Sequence, residues 1–437
     1  MWMSNKHNRL VRCPVVQLVT GCWVLFFFLL LSHSAPASEL VLQDLIREAV
    51  NHSPEIQAAQ AGVNAAQHKI PQVQALPDPQ VGFGYQNEGY NKYTWGDSNF
   101  AYWMFSASQM VPFWGKRELK GEMATRDAEA LKAASKGVLL KTITRVKELY
   151  FDLLLAYKNK GQIRDKTDLF ARVEEAALAR YTSGMAPQQE ALMAQTEKYM
   201  LLEKEEMQNQ KIQAAEGMLN TVLGREVNSP LGRPQIPAYH PYTFQLEDLL
   251  QSAKENSPEI KAKEKMVKGA EAKVRMAEKE YYPDFTLGAN LYKTGGSYQD
   301  MWSVTTQISI PLFYEKKQRQ GVLEAKAVLS QAKQELLASQ NMLASSLRDN
   351  YSMIKSAEKL MELYKEGLIP KTVQDFQLAL AGYTVGKVEA ITVINRLKAL
   401  LDFELLYWTQ FTERQKAMAR MEALAGIMDF NLEEKKN

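Results

Sequence analysis

The sequence predicts a mainly α protein with a β-barrel portion, assembled from one plan written twice. Three observations carry this. Leu42 to Ile56 (LQDLIREAVNHSPEI) returns as Leu246 to Ile260 (LEDLLQSAKENSPEI), with eight of fifteen positions identical at an offset of 204. Each copy then contains short runs of period two, the mark of strands. Each copy continues into a long stretch that is nearly free of proline and patterned as helix.

Composition limits what such a chain can be. Of 437 residues, 46% are hydrophobic and 24% charged, which is enough apolar mass for a core. Lys plus Arg number 53 against 50 Asp plus Glu, a balance that gives no nucleic-acid partner. The only cysteines are Cys13 and Cys22, so a disulfide scaffold, a Cys-based zinc site and a Cys nucleophile are excluded from the rest. His7, His33, His52, His68 and His240 never share metal-ligand spacing on a helix face. Gly295-Gly296 lacks the surroundings of a phosphate loop, and no nucleophile–base pair is visible. No enzyme, cofactor or metal centre is expected.

The first element reads as an export signal over 1–37. Lys6, Arg9 and Arg12 precede an apolar run from Val15 to Leu31, and Ala35-Pro36-Ala37 supplies a small-x-small cleavage site. Two alternatives stand beside it: an uncleaved anchor, and lipidation at Cys22 within Val19-Thr20-Gly21-Cys22. The first repeat then covers 38–228, a linker 229–245, the second repeat 246–428 and a polar tail 429–437.

Each repeat opens with a short helix (Leu40–Asn51, Phe244–Asn256) and restarts at Ser53-Pro54-Glu55 or Ser257-Pro258-Glu259. There the serine is expected to cap, the proline to occupy the first turn and the glutamate to face the positive helix end. Hairpins follow at about 79–111 and 284–310. Phe285, Leu287, Ala289 and Leu291 alternate with Thr286, Gly288, Asn290 and Tyr292; Trp302, Val304, Thr306, Ile308 and Ile310 alternate in the partner. This pattern fits a sheet on a soluble core or a barrel with lipid outside and water inside. Tyr90, Tyr93, Trp95, Phe113 and Trp114 near the strand ends suit interfacial belts.

Long helical hairpins come next, at about 115–223 and 315–428. Gly115 to Thr182 has no proline and would reach roughly 100 Å. A break is expected near Gly367–Pro370. Val138, Leu139, Ile143, Val146, Leu149, Tyr150, Leu153, Leu154 and Tyr157 form a coiled-coil stripe. Met193, Met200, Met207 and Met218 read as gap-fillers in a helix seam rather than a soft-metal path. Lys116 and Arg117, beside Trp114, read as interface anchors.

Four strands cannot close a barrel, and hydrocarbon does not tolerate open edges. The chain must pool strands with copies of itself, and cyclic symmetry closes such an assembly. Three copies would give twelve strands, a number that spacing alone does not fix.

In its duplication, its Ser-Pro-Glu-Ile helix restarts and its turns Tyr181-Thr182-Ser183-Gly184-Met185 and Tyr383-Thr384-Val385-Gly386-Lys387, the chain resembles TolC-type outer-membrane efflux channels. Pro77-Asp78-Pro79 and Ser108 to Arg117 are similar to the branch serving heavy-metal pumps. The resemblance implies a homotrimer with a twelve-stranded outer-membrane barrel and a periplasmic α-barrel. It also implies docking of a periplasmic membrane-fusion adaptor and an inner-membrane pump of the RND type at the tip turns: Tyr181, Gly184, Met185, Tyr383, Gly386 and Lys387. Such channels conduct passively, here with heavy-metal cations as candidate cargo. Family members often carry acids six and nine residues after the tip glycine. Glu190 matches the first of these, whereas Thr392 and Asn395 stand at the corresponding places of the second repeat. Candidate constriction residues are therefore Glu190, Tyr383, Thr392 and Asn395, with a solvated helix face as the alternative for Glu190. The rival class is a periplasmic coiled-coil adaptor or tether held by an uncleaved N-terminal helix.

Overall fold

The computed structural model describes residues 39–427; the leader and the polar tail lie outside them. The elements run in two matching series. The first is α1 (Leu42–His52), α2 (Pro54–Gln74), β1 (Gln80–Gln86), β2 (Tyr102–Val111), α3 (Lys116–Thr182) and α4 (Gln188–Leu223). The second is α5 (Leu246–Asn256), α6 (Pro258–Lys279), β3 (Asp284–Thr294), β4 (Met301–Ser309), α7 (Gln318–Glu362), a π-helical turn (Leu363–Leu368), α8 (Ile369–Thr384) and α9 (Ala390–Ala425).

Together they make one wall, four elements wide. At one end the strands pair antiparallel in the order β1-β2-β3-β4. Below them α3 lies between α2 and α6, and α6 packs on α7; further down, α3 lies between α4 and α9, and α9 packs on α7 and α8. β1, α2 and α4 form one free edge; β4, α7 and α8 form the other.

Period two sorts the sheet into two faces. Phe83, Phe105, Leu291 and Trp302 stand in one cross-strand row. Gly82, Ser106, Asn290 and Ser303 stand in the neighbouring row on the opposite face, where Asn290 Nδ2 donates to Ser303 Oγ at 3.1 Å. The apolar face is bare: Val81, Phe83, Leu287, Leu291, Trp302, Val304 and Ile308 are all exposed. Of the two environments period two allows, a sheet resting on a soluble core is therefore not this one.

Three buried clusters run down the wall. Leu45 and Ala49 of α1 pack with Val146, Leu149, Leu153, Ile212 and Leu219, so the predicted stripe on α3 is a core seam. Tyr242 and Leu249 hold a second cluster with Leu347, Ile354 and Met421. A third, near the helix turns, joins Phe170 and Val173 to Phe376, Tyr383 and Leu397. Ion pairs lock α3 to α9: Lys147–Glu422, Lys166–Glu404 at 2.7 Å, Lys416–Asp152 at 2.5 Å and Arg420–Glu148 at 2.6 Å.

The linker crosses one face of the wall. Tyr150 donates its hydroxyl to the Gln235 carbonyl at 2.8 Å and approaches that of Leu40 at 3.1 Å; Arg414, 1% exposed, pairs with Glu358 and reaches the His240 carbonyl. Glu148 and Asp152 lie on the opposite face of the wall, since two residues turn a helix by about 200°.

Four expectations need correction. Ser53 and Ser257 make no side-chain cap; both are buried, and their backbone N–H groups bond to Ala49 and Ala253 carbonyls instead. The break near Gly367–Pro370 is absent, because one π turn absorbs the missing N–H and the bulk of Pro370. Met193 packs in the lower core, but Met200, Met207 and Met218 are exposed. Their spacing keeps them on one face of α4, beside the face that packs on α3, and Met218 Sδ lies 4.0 Å from Arg145 Nη2 of α3. Lys116 is no exposed anchor: it is 3% exposed, with Nζ 2.9 Å from Asp284 Oδ1 and 3.1 Å from the Tyr282 carbonyl. Arg117 likewise turns inward and donates to the last carbonyl of α2, Gln74, at 2.6 and 2.8 Å.

Glycine ends both returning helices where they meet the restarts. Gly224 (φ +77°) sits on the His52 carbonyl and Gly426 (φ +72°) on that of Asn256; a Cβ at either place would collide with it. Thus α4 butts against the start of α2, and α9 against the start of α6, while α3 runs past both joints and α7 past the second.

Candidate functional site

The candidate residues gather at two ends of the wall, the bare sheet and the tips of the helical hairpins. Both tips turn on glycine in the left-handed region, Gly184 (φ +74°) and Gly386 (φ +78°), where other residues are strained. The turn N–H groups close back on the preceding helix: Met185 N–H on the Arg180 carbonyl and Lys387 N–H on the Gly382 carbonyl, each at 2.8 Å.

Tyr383 and Glu190 come together. Tyr383 is fully buried, and its hydroxyl donates to Glu190 Oε2 at 2.9 Å. Arg180 completes the group. Its Nη1 donates to the Tyr383 carbonyl at 2.7 Å, and its guanidinium lies 4.5 Å from the tyrosine ring centre, a cation–π contact. Its Nη2 reaches the Met185 carbonyl at 3.4 Å. The tip of the first hairpin is thereby tied to the tip of the second. Nearby, Lys398–Glu197 at 2.7 Å adds a second tie between the hairpins. Burial, then the hydrogen bond and charge of Glu190, push the Tyr383 phenol up to about 12.

Of the other predicted tip residues, Met185 meets this group through its carbonyl and Gly386 lies close to Arg180 Nη2. Tyr181, Met185, Gly184, Gly386 and Lys387 are exposed. Thr392 is half-buried and Asn395 exposed, and neither bonds to the Tyr383–Glu190 pair among the described residues. Arg180 was missed by the sequence argument. Its signal was the repeat itself: at the tip offset of 202 its counterpart is Gly382, so a cation stands at only one of two equivalent places.

At the other end, aromatic groups collect at both strand margins. Tyr85 stacks on Tyr93 (5.0 Å between ring centres), with Tyr90 fully exposed beyond; at the opposite margin Phe113 stacks on Tyr282 at 4.6 Å beside exposed Trp114. Strands of 10, 11 and 9 residues between such margins fit a tilted membrane span. No helix among the described residues is long and apolar enough to cross a membrane. No cluster of His, Cys, Asp or Glu suited to a metal ion occurs among them either.

Comparison with known proteins agrees with both ends. The model of the outer membrane efflux protein family matches residues 45–225 and 249–426, one span in each repeat. The chain is 20% identical to the cobalt-zinc-cadmium resistance protein CzcC of Cupriavidus metallidurans, covering 89% of this chain and 91% of that one. It is 24% identical to the pyoverdine export outer membrane protein OpmQ of Pseudomonas putida, covering 88% and 86%. The solved outer membrane protein VceC of Vibrio cholerae shares the fold, with a TM-score of 0.75 at 19% identity over 89% of this chain and 97% of that chain. With both repeats matched and a bare apolar sheet above a helical wall, the chain belongs to the outer membrane efflux protein family, whose members are outer-membrane channels that reach into the periplasm and work with an adaptor and an inner-membrane pump.

Proposed function

We propose that three copies of this chain close one tube, with twelve strands in the outer membrane and a helical barrel beneath. The two free edges of the wall carry this reading. An unpaired strand edge is not stable in hydrocarbon, and rotation sets the β4 edge of one copy on the β1 edge of the next. The division into leader 1–37, repeats 38–228 and 246–428, linker 229–245 and tail 429–437 is part of the same proposal. Native mass spectrometry in detergent is expected to return a trimer. A protein that is stably monomeric without detergent overturns it.

The hairpin tips form the gate and the docking surface for the adaptor, with an RND pump behind it. Exposed Tyr181, Met185 and Lys387 offer the contact, while Glu190, Tyr383 and Arg180 hold the closed arrangement. Opening then means shifting one hairpin against the other, a bistable packing change. Thr392 and Asn395 supply no charge there, so of the four candidate constriction residues only Glu190 can carry a cation preference. Glu190→Gln is expected to weaken divalent-cation block at least threefold in bilayer recordings. Unchanged conductance and block would remove Glu190 from the gate.

As cargo we infer heavy-metal cations, a reading supported by the likeness to CzcC and by the Glu190 carboxylate. The likeness to OpmQ favours a second reading, an organic chelate. A strain lacking the chain separates them. Lost tolerance of cobalt, zinc and cadmium supports the first; unchanged tolerance with retained chelate in the cells supports the second.

A further inference from the structure

The two free edges of the helical wall carry matching marks. Leu192 and Tyr199 lie seven residues apart on α4, and Lys371 and Leu378 lie seven apart on α8, so each pair lines one face of its helix. Leu192 and Tyr199 stand two positions before Ala194 and Leu201, and Leu378 stands two after Phe376. Those three neighbours are buried in the lower core. Two residues turn a helix by about 200°, so both lines look away from the core of their own chain. All four side chains are exposed, Tyr199 by 63% and Leu378 by 74%.

Distance along the chain from the tip glycines sets their height. Leu192 is eight residues from Gly184 and Leu378 eight from Gly386, while Tyr199 and Lys371 are each fifteen away. Within one chain, equal distance already marks contact between the hairpins. The four ion pairs from α3 to α9 join residues whose distances differ by two at most, and Lys166 and Glu404 stand at eighteen each. A third match lies higher, since Glu205 and Lys365 are both twenty-one residues from their glycines. Both are on the linker side. Lys365 lines a cavity there with Tyr239. Glu205 is three helical turns from Glu216, which accepts from Tyr157 beside Arg233 of the linker. Among the described residues Glu205 and Lys371 have no ion-pair partner, and Lys365 has only its neighbour Glu366 at 3.8 Å.

The geometry points to a seam of fixed register between two copies of this chain, in which α4 of one packs antiparallel on α8 of the next. Leu192 meets Leu378, the Tyr199 ring receives the Lys371 ammonium, and Glu205 pairs with Lys365 on the linker side. The seam rests on the closed tube proposed above and names the residues that meet. A slip of one heptad would set Leu192 level with Lys371 and Glu205 level with Glu358, so the three matches select one register.

Disulfide cross-linking tests it. Detergent-solubilised protein is oxidised with copper phenanthroline and read on denaturing, non-reducing gels, with the parent chain as the blank for Cys13 and Cys22. Tyr199→Cys with Lys371→Cys is expected to give at least half of the chains as covalent trimer, and so is Leu192→Cys with Leu378→Cys. Leu192→Cys with Leu363→Cys, set roughly 20 Å apart in height, should give under a tenth, because a disulfide spans less than about 7 Å between Cα atoms. Native mass spectrometry of the same samples separates the seam from the tube. Trimers that lack both in-register cross-links, or that form the out-of-register one equally well, overturn the seam and leave the trimeric channel standing; monomers overturn both. Charge exchange needs no cysteine. Glu205→Lys should lower the temperature of trimer dissociation by at least about 3 °C, and adding Lys365→Glu should restore most of that loss. Where a cysteine chain fails to assemble, this exchange decides: an equal or greater loss in the double variant overturns the seam.

Discussion

Tyr181 and Tyr383 hold the same place in the two hairpin tips, yet Tyr181 is 41% exposed and Tyr383 is fully buried. Both precede a glycine turn of the same geometry. The difference lies in their partners. Arg180 and Glu190 of the first repeat enclose Tyr383, whereas the equivalent places of the second repeat are Gly382 and Thr392, which offer Tyr181 neither a cation nor a carboxylate. Gly382 is also confined, since a Cβ there would lie 2.6 Å from Val388 Cγ2. A duplicated plan has thus been divided into a receiving tip and an inserted one. Keeping both copies in one chain lets them differ, which identical subunits could not do.

Breaking the inserted side should have the largest effect. Tyr383→Ala is expected to destabilise the tip by about 3–5 kcal/mol, as for other buried aromatic truncations, and Tyr181→Ala by less than about 0.5 kcal/mol. Amide hydrogen exchange in the two tips reads the contrast; equal effects would dissolve the asymmetry. Arg180→Ala should come next, at about 2 kcal/mol, through loss of a charged hydrogen bond and a cation–π contact. Its mark is faster exchange in both tips, because Arg180 ties one to the other. Tyr383→Phe keeps the ring and loses only the bond to Glu190, at about 1 kcal/mol.

The mildest probe is pH. The folded tip favours the neutral Tyr383 phenol, raising its pKa from 10.0 to about 12. That stabilisation is complete below pH 10 and is lost as pH rises through about 12. Phenolate absorbance near 295 nm, as the difference between the parent and Tyr383→Phe, should therefore appear later than for an exposed tyrosine. A midpoint at the ordinary value would place Tyr383 in solvent.

What could be read from the chain was what repeats or alternates. Phe285 to Leu291 against Trp302 to Ile308 gave two faces, and the structure adds only that no described residue covers the apolar one. The glycine turns were visible because a left-handed backbone position restricts the choice of residue. What escaped depended on distant partners. Lys116 meets Asp284 across 168 residues, which no local pattern reports. Met200 and Met207 showed the period of a seam, but period says which residues share a face and not whether a neighbour lies on it. Ser53 and Ser257 had the composition of caps, yet burial at a helix joint decided their bonding.

The butted glycine ends have a mechanical consequence. Along the long axis, two of the four columns are continuous beams and two are stacked pairs meeting end on. Stacked ends resist compression but transmit no tension, so a pull from the periplasmic side would travel to the membrane through α3 and α7. Under bending, the stacked columns would pivot at their meeting points while the beams flexed beside them, so the pipe would yield first in a belt around its middle.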